Sequence, residues 1–297
     1  MEKIKRTFGF IFNHPLGKRH PARALLKFLY WQLQSNLAPA KLIIKSFIHP
    51  VKFYSRRGLT GITGNIYTGL HEFDDMGFLL HFLRPGDIFF DIGANVGSYT
   101  LLASGVCGAK TIAIEPSKTT FSLLQQNTAL NGLQKKVTLV NAGAGAEPGS
   151  LSFSKNNDTT NRILAIGELQ GNDFEQVDII TIDSLSATYS PSLIKIDVEG
   201  FETAVLNGMP NTLKHPSLKA IIIELNGAGW HYGYDEQDIH QLLLNNGFKP
   251  YAYDPLKRAL ELLQLYGTYN TIYCRDSSFI TERLKTAKPF NVMGETI

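Results

Sequence analysis

The sequence predicts an α/β fold in which a doubly wound, mostly parallel sheet is covered by helices on both faces. Three observations predict it. Short runs rich in β-branched residues alternate with helical segments, a glycine-rich turn follows the first such run, and most of the runs end in an acidic residue. We place a helical N-terminal extension at residues 1–60 and the main domain at residues 61–297.

The extension has helical periodicity. Segment Ala24–Leu37 is predicted to be a helix whose apolar residues lie largely on one side, namely Leu25, Leu26, Phe28, Leu29, Leu33 and Leu37. A second short helix is predicted at Ala40–Ile48. A turn-rich boundary is predicted where three glycines punctuate the chain, at Gly58, Gly61 and Gly64.

Strands and helices alternate in the main domain. The predicted strands are Asp87–Asp91, Lys110–Glu115, Val137–Asn141, Leu193–Asp197 and Ala220–Glu224, with further strands near Ser150–Ser154 and Val177–Ile182. Helices are predicted at Asn95–Gly105, Ser117–Asn131, Glu199–Leu206 and Asp235–Asn246. The sheet is predicted to close with an antiparallel pair, Phe248–Tyr253 and Tyr269–Arg275.

Composition excludes several protein classes. With 43% hydrophobic and 19% charged residues, the chain is typical of ordinary globular proteins. No apolar run approaches the ~18 residues that a membrane-spanning helix needs. Cys107 and Cys274 stand alone, so neither a disulfide framework nor a zinc site is predicted, and no residue is assigned to a metal. A cytoplasmic location is the resulting expectation.

Charge is divided unevenly along the chain. Residues 1–60 contain 12 Lys and Arg and one acid, a net charge of +11, whereas the remainder has 17 basic and 25 acidic residues, a net charge of −8. A basic segment on an acidic body favours an anionic partner. Because aromatic residues accompany the basic ones on short helices, peripheral contact with the inner membrane face is one interpretation. The alternative is packing of the extension on its own acidic domain.

Polar residues stand at the ends of five predicted strands. They are Asp91, Glu115, Asn141, Asp197 and Glu224. Acids make up roughly one residue in ten of this chain, so four acids among five positions exceed chance. In open α/β sheets, ligands bind outside the carboxyl ends of the strands. These residues therefore mark the predicted site.

The turn after the first strand distinguishes between cofactors. It reads Asp91-Ile-Gly-Ala-Asn-Val-Gly97, with two glycines where a dinucleotide-binding turn has three. A carboxylate at this turn suits an amino group and a sulfonium better than a pyrophosphate. Glu115 lies 24 residues after Asp91, where an acid commonly accepts hydrogen bonds from ribose hydroxyls. The turn therefore favours S-adenosylmethionine, with a nicotinamide cofactor, and hence an oxidoreductase, as the alternative.

Three motifs resemble those of the FkbM-type methyltransferase family. They are DIGANVGSYT, AIEPS and LIKIDVEGFE, and the resemblance extends over about residues 65–275. It implies a class I methyltransferase fold and S-adenosylmethionine as cofactor. It also implies methyl transfer to a hydroxyl oxygen on a sugar, a glycan or a secondary metabolite.

The resemblance also implies site residues. Binding of the cofactor is expected from Asp91, Gly93, Ala94, Asn95, Gly97 and Glu115, to which we add the strand-end residue Asn141. Asp197, Glu199 and Gly200 are expected to face the transferring methyl group. The segment Ala142–Gly149 departs from the family in being rich in Gly and Ala, so no adenine contact is assigned to it.

A hydroxyl acceptor needs a base, because it is a weak nucleophile. The candidates are Asp197, Glu199 and His231. Asp197 and Glu199 lie two residues apart across the end of the predicted strand, and we expect them to diverge there, one towards the methyl group and the other towards the next helix or the cofactor. Lys195 either pairs with Asp197 or shares its face. His231 has aromatic neighbours that form either a sugar platform or a hydrophobic lid, and His71 with Glu72 belongs either to a substrate-side cap or to the surface.

The basic extension is the only feature of the sequence that favours a nucleic-acid substrate. Enzymes that methylate amino groups of nucleic acids typically place an Asn/Asp-Pro-Pro-aromatic turn after the fourth strand. Here the chain reads Asp197-Val-Glu-Gly200 instead, and no RNA-reading motif is present. Nucleic acid is therefore the less favoured acceptor, and the oligomeric state is left open.

Overall fold

The computed structural model describes residues 2–155, 161–164 and 173–297. The first eighty residues form α1 (Glu2–Asn13), α2 (Pro15–Arg19), α3 (Pro21–Leu37), β1 (Ile43–Ser46), β2 (Lys52–Ser55), α4 (Thr60–Thr68) and α5 (Phe73–Phe82). There follow β3 (Ile88–Ile92), α6 (Ser98–Leu101) continued by a π-helical turn (Leu102–Cys107), β4 (Lys110–Ile114), α7 (Lys118–Leu130), β5 (Val137–Val140), β6 (Gly143–Ala144), β7 (Gly149–Ser154) and β8 (Phe174–Ile180).

The last part of the chain completes the sheet and its cover. It forms α8 (Ile182–Ser186), β9 (Leu193–Ile196), α9 (Glu202–Asn207), α10 (Pro210–Lys214), β10 (Ala220–Glu224), a 3₁₀ turn (Ala228–Tyr232), α11 (Glu236–Asn245), β11 (Lys249–Asp254), β12 (Ala259–Leu262), β13 (Asn270–Cys274), α12 (Ser277–Lys285), β14 (Asn291–Val292) and β15 (Glu295–Thr296). The central sheet has the order β12-β11-β13-β10-β9-β3-β4-β5. Its strands from β10 to β5 are parallel, and β11, β12 and β13 add antiparallel pairs.

The predicted doubly wound fold is confirmed. Successive strand residues point to opposite faces, so Phe89 and Ile222 pack in one buried apolar cluster while Phe90 and Ile221 pack in another. A sheet that is buried on both faces requires the nearly continuous apolar strands seen in the sequence. The predicted C-terminal antiparallel pair is also found, as β11 and β13.

One prediction for the extension is wrong and another holds only in part. Within the segment predicted as a helix at Ala40–Ile48, residues 43–46 form strand β1 instead, because Ile43 and Ile44 favour an extended chain, and β1 pairs with β2 beyond Pro50. Of the three glycines that predicted a turn-rich boundary, Gly58 lies in a turn, whereas Gly61 and Gly64 lie in helix α4. A Cβ atom on Gly64 would lie 2.6 Å from the His71 ring, so this glycine serves close packing rather than a turn.

The predicted helix of the extension is present as α3, but its apolar residues divide between two faces. Phe28 is buried and packs with the main domain, whereas Leu26, Leu29, Leu33 and Leu37 are exposed. Ile11 and Trp31 join the same buried cluster as Phe78. The division at residue 60 stays a prediction. No helix of the described residues is long and apolar enough to cross a membrane.

The Gly/Ala-rich segment after β5 is explained by close packing. β6, β7 and β8 form a small separate sheet in the order β6-β8-β7. A Cβ atom on Gly143 or Gly145 would lie within 2.8 Å of the Ile179 side chain, and one on Gly208 would lie 2.0 Å from the carbonyl oxygen of Gly145. Small residues therefore allow this sheet to approach the chain after α9.

Candidate active site

The turn after β3 is held by backbone hydrogen bonds to the end of β4. Gly93 and Ala94 both donate their N–H groups to the carbonyl oxygen of Ile114, at 3.0 and 2.9 Å. Asn95 and Gly97 have positive φ angles of 49° and 96°. A Cβ atom on Gly93 would lie 1.8 Å from the carbonyl oxygen of Asp197. The glycine therefore lets the turn contact the end of β9.

Asp91 and Glu115 are buried carboxyl groups beside this turn. Asp91 accepts a hydrogen bond from Thr100 Oγ1 at 2.5 Å, and burial raises its pKa to about 6. Glu115 accepts hydrogen bonds from the N–H groups of Asn95 (3.0 Å) and Ser117 (2.9 Å). Burial also raises the pKa of Glu115, to about 7. A carboxylate offers about four acceptor positions, so Glu115 keeps capacity for two further donors.

Asn141 lies next to this group but contacts the backbone. Its Nδ2 donates to the carbonyl oxygens of Glu115 and Pro116, both at 2.9 Å. Asn141 itself is exposed. Asn141 therefore fixes the chain between β4 and α7. Direct cofactor binding by Asn141 stays a prediction, as it does for the other residues assigned to the cofactor.

Three carboxylates converge at the ends of β9 and β10. Oxygen atoms of Asp197, Glu199 and Glu224 all lie within 4.8 Å of one another. The expectation that Asp197 and Glu199 diverge does not hold, because the strand ends at Ile196 and Glu199 has a left-handed φ of 55°. The turn is tight, since a Cβ atom on Gly200 would lie 2.6 Å from the carbonyl oxygen of Ala228.

Lys195 is a buried cation beside these carboxylates. Its ammonium lies 2.9 Å from Asp197 Oδ2 and 5.1 Å from the centre of the Tyr99 ring. Of the two alternatives that the sequence left open, the structure therefore shows pairing. Burial alone would raise the pKa of Asp197, but the charge of Lys195 together with hydrogen bonds from Lys195 and Glu224 outweighs burial and lowers that pKa. The pKa of Lys195 rises because the neighbouring acid charges, Asp197 first, outweigh its own burial.

The other two carboxyl groups bind protons more tightly. Burial and then the charge of Asp197 raise the pKa of Glu224 to about 9 and that of Glu199 to about 7. Within the described residues, Oε2 of Glu224 is buried and accepts no hydrogen bond. The raised pKa of Glu224 and its hydrogen bond with Asp197 together indicate that Glu224 is protonated. Oxygen ligands at this spacing also suit a hard divalent cation, which the sequence did not predict.

Residues that sequence reasoning missed complete the surroundings of Lys195. Tyr99 donates its hydroxyl to Glu72 at 2.7 Å, and Asn270 donates from Nδ2 to Glu72 at 2.8 Å and to Asp75 at 3.0 Å. Burial and then the charge of Glu72 raise the pKa of Asp75 to about 7. Glu72 therefore lies inside the site rather than on the surface. The acidic residues beside the apolar run of α5 were the sequence signal that could have indicated this part of the site.

A further residue that was missed holds the turn after β9. Glu202 is buried and accepts hydrogen bonds from the N–H groups of Val198 (3.1 Å) and Gly200 (3.2 Å). It thereby fixes the segment that carries Glu199. Its position at the start of a helix follows from the favourable interaction of a carboxylate with free N–H groups there.

His231 lies in the 3₁₀ turn that follows β10. Its ring stacks on Trp230 with 3.8 Å between centroids, and Trp230 is 70% exposed. Tyr232 and Tyr234 pack against Phe201, at 5.2 and 6.4 Å. The group of three close carboxylates does not include His231. A catalytic role for His231 stays a prediction.

Fold and site together define a class of protein. A doubly wound sheet with a glycine turn and acids at its carboxyl edge is typical of α/β proteins that bind their ligands outside the carboxyl ends of the strands. Residues 91–250 match the family model described as "Methyltransferase FkbM domain". The chain therefore belongs to the FkbM methyltransferase family, as its motifs predicted.

Two curated relatives are similar over more than half of the chain. The hexuronic acid methyltransferase AglP of Haloferax volcanii is 27% identical over 172 residues, which are 58% of this chain and 67% of the relative. The 31-O-demethyl-FK506 methyltransferase FkbM of Streptomyces tacrolimicus is 27% identical over 227 residues, covering 65% of this chain and 85% of the relative.

Solved methyltransferase structures are also similar. The FkbM methyltransferase of Methylobacillus flagellatus KT matches with a TM-score of 0.43 and 17% identity, over 63% of this chain and 43% of that one. The S-adenosylmethionine-dependent methyltransferase of Agrobacterium tumefaciens matches with a TM-score of 0.44 and 11% identity, over 80% of this chain and 71% of that one.

Proposed function

We propose that this methyltransferase uses S-adenosylmethionine to methylate a hydroxyl oxygen of a sugar, a glycan or a secondary metabolite. The observation that carries the proposal is the group of three close carboxylates beside Lys195, next to the turn after β3. Family membership adds support, as do two relatives whose names refer to hexuronic acid and to 31-O-demethyl-FK506.

The turn fits S-adenosylmethionine and not a dinucleotide. Binding of a pyrophosphate needs backbone N–H groups that are free to point at it. Here Asn95 N donates to Glu115, Val96 N donates to Asn95 Oδ1, and Gly97 N donates to the carbonyl oxygen of Ala94. The N–H groups of Gly93 and Ala94 are also engaged. The turn contains no Lys or Arg, so a diphosphate would find no cation in it.

Buried acids at this position suit a cationic ligand. Burial raises the pKa of Asp91 and that of Glu115. A positive charge or a hydrogen-bond donor beside either residue would therefore stabilise its ionised carboxylate. S-adenosylmethionine carries an ammonium, a sulfonium and two ribose hydroxyls. We assign the charged part to Asp91 and the hydroxyls to Glu115.

Glu199 is the base that we propose for the acceptor. A general base works best when its pKa lies near the working pH, and the pKa of Glu199 is about 7. Asp197 is held ionised by Lys195 and is a weaker base, while Glu224 already holds a proton. The bound cofactor supplies an electrophilic methyl group. As the acceptor oxygen bonded to that methyl, the bond from the methyl to sulfur would break and S-adenosylhomocysteine would leave, while a carboxylate oxygen of Glu199 would take the acceptor's proton.

The test is a transfer assay with labelled S-adenosylmethionine. Uronic acids, oligosaccharides, glycolipids and RNA are offered in parallel, each beside a counterpart whose hydroxyls are already methylated. We expect label in a hydroxylated acceptor and none in its blocked counterpart. A titration with NAD is run alongside. Binding of NAD without S-adenosylmethionine, or labelling of RNA alone, would contradict the proposal.

A further inference from the structure

Helix α3 has two opposite apolar faces, and the main domain uses one of them. Ala24, Phe28, Trp31 and Ser35 are buried against the rest of the protein. On the other side lies a row that we call the outer stripe, formed by Leu26, Leu29, Tyr30, Leu33 and Leu37. Its members are between 52% and 77% exposed. They recur every three or four residues, which places them on one side of the helix.

The outer stripe is large for an exposed apolar surface. From Leu26 to Leu37 it extends about 16 Å along the helix axis. Contiguous apolar patches on a protein surface mark sites of interaction, whereas scattered apolar side chains do not. Because the buried face of α3 already anchors the helix, the outer stripe is not needed for its attachment.

Positive charge borders the outer stripe at both ends. Exposed Lys18 and Arg19 lie at its N-terminal end and exposed Lys41 follows its C-terminal end, while the guanidinium of Arg23 donates to the carbonyl oxygen of Met293. The ammonium of Lys45 lies 5.1 Å from the centre of the Tyr30 ring. Helix α3 contains no acidic residue. The acid that approaches this end is Glu295, which lies 3.7 Å from Arg19 and 2.9 Å from His20.

We propose that the outer stripe docks on the surface of an anionic lipid bilayer. An apolar row bordered by Lys and Arg is the arrangement of a helix that lies in the membrane interface without crossing it. Its apolar side chains enter the boundary of the acyl chains, and the bordering cations meet anionic headgroups. The docking surface does not depend on the nature of the methyl acceptor.

The buried face of α3 packs on the elements that lead to the candidate active site. Phe28 contacts the Tyr67 ring of α4 with 5.4 Å between centroids. Helix α4 leads to His71, whose ring also contacts Phe10 of α1 at 4.9 Å. The extension is thus connected to the residues that precede Glu72, so the membrane-facing surface and the site are joined by packed side chains.

The full chain is tested by co-sedimentation with vesicles of phosphatidylcholine, with and without phosphatidylglycerol. We expect sedimentation on the anionic vesicles that weakens with added salt. Leu29→Gln/Leu33→Gln should weaken binding about tenfold, since binding scales with the apolar area buried. The matched control is Leu262→Gln/Leu265→Gln, which changes two similarly exposed leucines elsewhere and should bind like the wild type.

Charge and self-association are examined separately. Lys18→Gln/Lys41→Gln should weaken binding to anionic vesicles and leave the melting temperature unchanged, because both side chains are exposed. Wild-type binding by the outer-stripe variant would overturn the proposal, as would failure of the wild type to bind anionic vesicles. So would light scattering that shows a dimer dissociated by the outer-stripe substitutions, because the outer stripe would then bind a second copy.

Discussion

The ammonium of Lys195 lies 2.9 Å from Oδ2 of Asp197, and Lys195 itself is 1% exposed. The two residues are adjacent on one side of the chain at the end of β9, where side chains two residues apart point the same way. Lys195 has almost no access to water, so its charge depends on its acidic neighbours. This pair keeps one acid of the site ionised while its neighbours take up protons.

Replacing Lys195 should destabilise the protein. For Lys195→Met we expect the free energy of unfolding to fall by about 3 kcal/mol, the lower end of the range for broken buried pairs. The lower end applies because 32% of the Asp197 side chain is exposed. Chemical denaturation measures the change. The double variant Lys195→Met/Asp197→Asn should be more stable than the single one, and a single variant as stable as wild type would contradict the account.

Glu115→Gln should weaken binding of S-adenosylmethionine by about 1–3 kcal/mol, because an amide cannot accept from both ribose hydroxyls as a carboxylate does. Calorimetric titration measures the affinity. Glu147→Gln is the control, since Glu147 is exposed. An unchanged affinity in a folded Glu115→Gln variant would remove Glu115 from the cofactor site.

Two glycines with positive φ should respond differently to alanine. Gly132 has a φ of 65° and open space around it, so Gly132→Ala should cost about 1–2 kcal/mol from backbone strain alone. Gly93 has a φ of 79°, and an added Cβ would also meet the carbonyl oxygen of Asp197. Gly93→Ala should therefore lower the stability measured by thermal denaturation clearly more than Gly132→Ala does. Equal costs would mean that the turn can move away from β9.

Glu199→Gln should lower kcat about 10²- to 10⁴-fold while affinity for the cofactor changes little. The wild-type rate should rise with pH through about 7, as the Glu199 carboxyl loses its proton, and the variant should lose that rise. His231→Gln should keep most of the activity. A loss of activity confined to His231→Gln would show that His231 is the base. Near-normal turnover in each of Asp197→Asn, Glu199→Gln and His231→Gln would show that none of the three residues is the base.

The stability of the free protein should decrease as pH rises from 7.0 to 8.5. Glu224 has a pKa of about 9 and Glu115 one of about 7, both above the ordinary value for glutamate. The folded state therefore holds more protons than the unfolded state, and stability is lost as pH passes through the raised values. His14 opposes this trend only below about pH 6.5, because burial lowers its pKa to about 4. Melting temperatures measured at pH 7.0 and 8.5 test this predicted decrease in stability.

Glu224→Gln serves as the comparison for that experiment. It removes the carboxyl group with the highest raised pKa among the described residues, so the difference in melting temperature between pH 7.0 and 8.5 should shrink. A wild type that is more stable at pH 8.5, or a variant with an undiminished difference, would contradict the assignment of a protonated Glu224.

Local sequence patterns were sufficient to predict much of the fold. The parallel strands and the glycine turn lie within a residue or two of their predicted places, because hydrophobic periodicity and turn residues act over short distances. The helix predicted at Ala40–Ile48 was wrong for the opposite reason. That segment is extended because it pairs with β2, and pairing partners are not visible in a local pattern.

The sequence by itself determined the order of the parallel strands along the chain, the turn at Asp91–Gly97 and the acids at the strand ends, because each depends on neighbouring residues. Only the tertiary structure brought Asn270 to Glu72, 198 residues away, and turned Glu199 towards Asp197. It also decided which apolar face of α3 is buried, since periodicity marks both faces alike. Burial and charge pairing depend on contacts between distant segments, and those contacts raise the pKa of Glu224 and leave the outer stripe exposed.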